Sequence, residues 1–167
     1  SGPNTANPHA VPSDRVIEKG DFVLMDYGAG YCDYRSDMTR TVVMGEPTQE
    51  QLDLYALVRR THEEGVAALH PGVEGNDIFK LSKKIIGDAG YGDYYNHGLG
   101  HGVGIDIHEL PNFNRSKNTI EVGSVITMEP GVYLPGEFGV RIEDLVLVTE
   151  TGCEILNHVD KHWKTVG

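Results

Sequence analysis

The stretch Phe22-Val23-Leu24-Met25-Asp26-Tyr27 is apolar on both faces of an extended chain, the pattern of a buried strand, yet it holds a carboxylate, Asp26. A turn at Gly28 to Gly30 follows. Ser36 to Met44 then reads as the returning strand of a hairpin, with Asp37, Thr39, Thr41 and Val43 on one face. Thr48-Gln-Glu-Gln51 is a capping-box pattern, and Leu52, Tyr55, Val58, Val66 and Leu69 continue at helical spacing until His70-Pro71-Gly72 stops the run. Asn76 or Asp77 is placed to cap a second helix with Ile78, Leu81 and Ile85 on its apolar side, ending near Gly90. The remainder returns to strands over Gly98 to His108, Val125 to Glu129 and Val140 to Thr149, with Asn112 to Asn118 reading as a polar loop. Strands, then helices, then strands make the class α+β.

The 167 residues carry 14 basic and 25 acidic side chains, a formal charge of −11. With no Lys/Arg cluster, that balance argues against nucleic acid and anionic membrane surfaces as partners. No apolar run approaches the roughly 18 residues that span a bilayer. Ser1 to Asn7 is small and polar rather than basic and then hydrophobic, so a cytoplasmic protein is expected. Cys32 and Cys153 lie far apart and outside any C-x-x-C pattern, and read as reduced thiols. The length fits one domain.

Four carboxylates fall inside apolar strand patterns: Asp26, Asp37, Glu129 after Val-Ile-Thr-Met, and Glu143 within Val-Arg-Ile-Glu-Asp-Leu-Val-Leu-Val. Burying several acids together is costly unless cations compensate. Arg40 and Arg141 can each pair with one acid, which does not answer four. His97, His101 and His108 lie within twelve residues, among alternating glycines that let backbone or ligand come close. Alternation puts His97 and His101 on one face, whereas His108 needs a bend or a bulge to join them. The glycine pattern matches neither a dinucleotide fingerprint nor a phosphate loop. Oxygen ligands with one imidazole suit Mn²⁺, Co²⁺ or Zn²⁺. Carboxylates able to bridge suggest two ions about 3.5–4 Å apart, a pair that yields hydroxide near neutral pH for attack on a polarised amide carbonyl. His62, His70, His158 and His162 read as ordinary surface or packing residues.

The strings Leu-Met-Asp26-Tyr-Gly-Ala, Ser-Asp37-Met-Thr-Arg-Thr, His97-Gly-Leu-Gly-His101-Gly-Val-Gly, Ile-His108-Glu-Leu-Pro, Met-Glu129-Pro-Gly-Val-Tyr and Gly-Val-Arg141-Ile-Glu143-Asp follow one another in order. Together they resemble the Xaa-Pro peptidase branch of the pita-bread metallopeptidases, the branch of aminopeptidase P and prolidase. The resemblance runs from about Ser1 to Leu156. It implies a curved, mostly antiparallel sheet with helices on its outer face. It also implies a dinuclear-metal exopeptidase that hydrolyses the bond before a proline at the second position of a peptide. Carried over, Asp26 would chelate one metal, Asp37 and Glu143 would bridge both, and His101 and Glu129 would complete the second site. Glu129 would double as the proton shuttle, and His97 and His108 would contact the scissile group. His9 matches a further active-site histidine, and Arg141 would pair with an active-site carboxylate or the substrate. Arg115 sits in the loop where some prolidase-like members place an arginine for the substrate's carboxylate, and reads here either so or as a solvated surface residue.

Members of this branch carry an N-terminal domain and begin their catalytic domain before the position of Ser1. Residues 1–167 are therefore expected to be the major, C-terminal part of one catalytic domain. A strand edge and a hydrophobic sheet face are expected to lie exposed and to be covered by a second copy, as a homodimer. The alternatives are a non-catalytic pita-bread binding module, an inactive fragment of the peptidase, a creatinase-like amidinohydrolase and a methionine aminopeptidase. Binding modules typically lose several of the ligands that are all present here.

Overall fold

A computed structural model describes residues 1–114 and 117–167. In chain order the elements are β1 (Phe22–Tyr27), β2 (Gly30–Tyr31), β3 (Tyr34–Arg35), β4 (Met38–Met44), α1 (Gln49–Ala67), α2 (Gly75–Asp88), β5 (Gly100–Gly102), β6 (Glu109–Phe113), β7 (Val125–Met128), β8 (Gly131–Leu134), β9 (Phe138–Arg141), β10 (Asp144–Thr149), β11 (Gly152–Ile155) and β12 (Thr165–Val166). No helix among the described residues is long and apolar enough to cross a membrane.

The first hairpin forms as its pattern predicts, with Asp26 opposite Thr39 and Met25 opposite Arg40. β2 and β3 make a small ribbon at its tip. The expectation that β1 is buried on both faces fails beyond its start. Only Phe22 is buried, and Met25, Asp26 and Tyr27 are exposed. The reason is topology: β4 is the middle strand of a three-stranded sheet, with β12 parallel to it on one side, and β1 is left at the edge. β4 is correspondingly buried from Met38 to Thr41.

The capping box at Thr48 is complete, since its hydroxyl accepts from the Gln51 backbone N–H and the Gln51 side chain accepts from the Thr48 N–H. The buried face of α1 runs through Leu54, Tyr55, Val58, Thr61, His62 and Gly65. His62 thereby fills the helical position left between Val58 and Val66. It is fully buried, with Nε2 3.2 Å from Asp144 Oδ2 but without the alignment of a hydrogen bond. Burial pushes its imidazole below the usual pKa against the pull of Asp144. Of the surface and packing readings, burial selects packing, with a carboxylate as its neighbour. α2 starts at Gly75 with Glu74 as cap and no capping side chain. Glu74 is drawn instead to the Thr119 hydroxyl at 2.6 Å, and Asn76, one of the two expected caps, donates to the Asn114 carbonyl at 2.9 Å.

The second half differs from its one-dimensional reading in three places. The expected strand over Gly98 to His108 is only three residues long. Its pairing with β6 shifts between His101 and Gly102, which is the bulge that the odd spacing to His108 demands. Asn112 and Phe113 belong to β6 rather than to a loop, because Phe113 and Gly100 are cross-strand partners. Val140 to Thr149 divides into β9, paired with β8, and β10, set between β7 and β11. Among the described residues, every strand pair except β4 with β12 is antiparallel.

Two apolar clusters hold these layers together. One joins α1 to β8 and β9 through Leu54, Val58, Val132, Val140 and Ile142, and the other gathers Leu99, Phe113, Ile126, Met128 and Val146. Gly100 allows β5 to approach β7, since a Cβ there would lie 2.0 Å from the Thr127 carbonyl oxygen. Gly87, near the end of α2, has open space around it. In urea denaturation, Gly100→Ala is expected to lose about 3 kcal/mol or more and Gly87→Ala to gain about 0.5 kcal/mol. Equal effects would place the β5–β7 contact elsewhere.

Candidate metal centre

Strand geometry delivers the acids to one cleft. Asp37 precedes β4, His101 sits in β5, Glu129 follows β7, and Glu143 lies in the break between β9 and β10. One ligand atom each from Asp37, His101 and Glu143 lie within 4.8 Å of one another. His101 Nε2 is 3.4 Å from Glu129 Oε1 and 3.9 Å from Asp37 Oδ2. The adjoining cleft, about 520 Å³, is lined by His9, His97, His101, His108, Glu129 and Arg141 among others. His108 is exposed, and its ring centroid lies 4.1 Å from that of His101. Asp26 stands apart from the tight group. It is partly exposed, and its Oδ2 accepts from Arg141 Nη2 at 2.5 Å. Arg115 lies outside the described residues.

The imidazoles are oriented by backbone carbonyls. His101 Nδ1 lies 3.0 Å from the Gly102 oxygen, which can only accept, so Nδ1 carries the proton. In the neutral ring Nε2 is then a lone pair facing two carboxylates. Three acceptors turned on one another repel, and a divalent cation with oxygen and imidazole ligands satisfies all of them. The residues fit such an ion. Acidity tells the same story. Burial, reinforced by Glu129 and Asp37, pushes the Glu143 carboxyl up to about 9. Burial also pushes Glu129 up to about 7, with Asp37 and Asp26 adding to it against Arg141 and the Thr127 hydroxyl.

Three residues to which the strings assign no role connect these groups. Thr39 donates to Glu143 Oε2 at 2.5 Å and accepts from Arg141 Nε at 3.0 Å. Thr127 donates to Glu129 Oε1 at 3.1 Å while accepting from the His101 backbone N–H. Tyr133 accepts from Arg141 Nη1 at 3.0 Å and lies 2.9 Å from His97 Nε2. His97 Nδ1 donates to the Gly98 carbonyl, so its Nε2 accepts the Tyr133 proton. Burial holds this ring neutral, pushing it down to about 4. The two threonines carry a sequence signal, since Thr39 and Thr127 each stand two residues from an acid on the same face. Tyr133 closes the string that begins at Met128, which is its signal.

Over residues 1–150 the sequence matches metallopeptidase family M24. The chain belongs to that family. An Xaa-Pro dipeptidase of Pyrococcus furiosus is 45% identical over 162 residues, which are 96% of this chain and 47% of that protein. Among solved structures, a prolidase from Thermococcus sibiricus superposes with a TM-score of 0.96 at 43% identity, covering 99% of this chain and 45% of that one. An X-Pro aminopeptidase from Thermotoga maritima does so at 0.96 and 37% identity, covering 99% and 47%. The chain therefore spans about half the length of the relatives it matches. The fold is the pita-bread arrangement of this family.

For an M24 chain freed of metal, the two raised carboxyls dictate the pH response. Their folded values exceed the ordinary 4.5, so the stability they contribute is complete below about pH 4.5 and is lost as pH rises through 7 and then 9. The urea midpoint in EDTA is expected to fall from pH 5 to pH 9, and Mn²⁺ at pH 8 is expected to restore it. A midpoint that rises across that interval without metal would contradict the burial of these acids.

Proposed function

We propose that this chain carries the catalytic centre of an Xaa-Pro peptidase, which hydrolyses the bond between a first residue and a proline at the second position. The observation that carries the reading is the close grouping of ligand atoms from Asp37, His101 and Glu143, with Glu129 Oε1 3.4 Å from His101 Nε2 beside them. Two divalent ions, Mn²⁺ first with Co²⁺ and Zn²⁺ as alternatives, would be held by Asp26, Asp37, His101, Glu129 and Glu143. When bound, such a pair makes a nucleophile of water at neutral pH and polarises the scissile carbonyl.

The chain's own groups divide the remaining work. Glu129 is the proton carrier, since its Oε1 is anchored by Thr127 and lies on the cleft wall 3.4 Å from His101 Nε2. His9, His97 and His108 line the cleft where the scissile group and the proline ring would sit. Tyr133, pushed up to about 12 by burial, keeps its proton and holds His97 in one tautomer. Arg141 restrains Asp26 and neutralises part of the acidic cluster. Names of relatives, an Xaa-Pro dipeptidase and an X-Pro aminopeptidase, support the substrate class. Two free cysteines are in keeping with a cytoplasmic setting. We further infer a homodimer, from the exposed Met25 and Tyr27 at the β1 edge.

Dialysis against Mn²⁺ or Co²⁺ followed by elemental analysis is expected to find up to two ions per chain, and Asp37→Ala to abolish them. A wild-type chain that retains no divalent ion would overturn the proposal. Given metal, cleavage of Gly-Pro against Gly-Pro-Pro separates a dipeptidase from an aminopeptidase. Sedimentation of the chain as a monomer would remove the homodimer.

A further inference from the structure

Behind the metal centre, on the side away from the cleft, lies a second group of charges. Arg40, on β4 between Thr39 and Thr41, is 4% exposed. Its Nη1 donates to the Glu143 carbonyl at 2.6 Å and to the Thr39 carbonyl at 2.9 Å. Its Nη2 donates to Asp144 Oδ1 at 2.5 Å and to the Val159 carbonyl at 2.8 Å. The other oxygen of Asp144 faces Lys161 Nζ at 2.8 Å and His62 at 3.2 Å. One planar guanidinium thus ties β4, the break between β9 and β10, and the C-terminal segment to a carboxylate that also pairs with Lys161 and faces His62 of α1.

The two carbonyls it grips are not arbitrary. They belong to Thr39 and Glu143, whose side chains meet on the cleft side at 2.5 Å. Glu143 lies between strands, so no ladder fixes its backbone. Its N–H goes to the Thr39 carbonyl at 3.1 Å and its own carbonyl goes to Arg40. We propose that Arg40 is a positioning residue for the metal centre, setting the backbone of Glu143 and Thr39 and thereby the direction of the Glu143 carboxylate. The inference rests on the reading of Glu143 as a metal ligand. Arg40 itself touches neither metal nor substrate.

Two measurements on the 167-residue chain test it. In the first, ¹⁵N signals of arginine side chains are followed as Zn²⁺ is added to the wild type. Those of Arg40 are expected to shift in step with metal loading, and those of Arg59, on the outer side of α1, to stay. No shift at Arg40 overturns the proposal and needs no variant. In the second, Co²⁺ binding is titrated by its visible spectrum. Arg40→Lys keeps the charge but cannot span both carbonyls and Asp144. It is expected to bind about 10–100-fold more weakly, with an altered spectrum. Val148→Ala, a cavity in the core of β10, is expected to lower the urea midpoint and leave Co²⁺ affinity and spectrum as in the wild type. A folded Arg40→Lys chain that binds Co²⁺ as Val148→Ala does overturns the proposal. A wild type that binds no Co²⁺ and no Zn²⁺ overturns the metal reading itself, a result distinct from either.

Discussion

Mutual repulsion among clustered acids governs this molecule. Asp37 and Glu143 are brought together around His101, with Glu129 against the same imidazole, in surroundings that drive Glu129 and Glu143 to about 7 and about 9. Such an arrangement has no merit in a protein that only needs to fold, because apolar residues of similar volume cost less. It has merit where positive charge arrives from outside. The donors around it keep the acids apart and aimed: Thr39 on Glu143, Thr127 on Glu129, and Arg141 on Asp26. Part of the net charge of −11 is therefore a site and not a solvated surface.

The scaffold departs from regularity where that site requires it. The register shift beside His101 turns the chain so that His108 reaches its neighbour's ring, and the break at Ile142 and Glu143 moves the chain from one strand pair to another sheet. Irregular backbone at such points aims a side chain that a straight strand would leave in the pleat. What holds the irregular residues is the rigid material on either side: two apolar clusters, a capped helix and the Arg40–Asp144 contact behind the break.

Much of this is legible in one dimension, and the boundary of what is legible has a physical cause. The first hairpin, the capping box of α1 and the chemistry of the ligand set follow from spacings of two, three and four residues, which are properties of local geometry. Asn112 and Phe113 are misread as loop because their pairing with His101 and Gly100 depends on a distant strand. The exposed end of β1 is misread as buried because an apolar pattern does not reveal which strand is at an edge. His62 is passed over because helical spacing shows that the position faces inward, not that an aspartate waits there.

The sequence by itself determined the α+β order, the hairpin and the capped helix that follow from local spacing, and the kinds of atom available to a ligand. Only the tertiary structure decided which of them meet. Arg141 and Asp26 are 115 residues apart, and Arg40 and Asp144 are 104 apart. Two buried arginines and several buried acids admit many pairings. The choice is made by strand register and by the break before Asp144, both of which arise only when the sheets have formed and local preference no longer has a say.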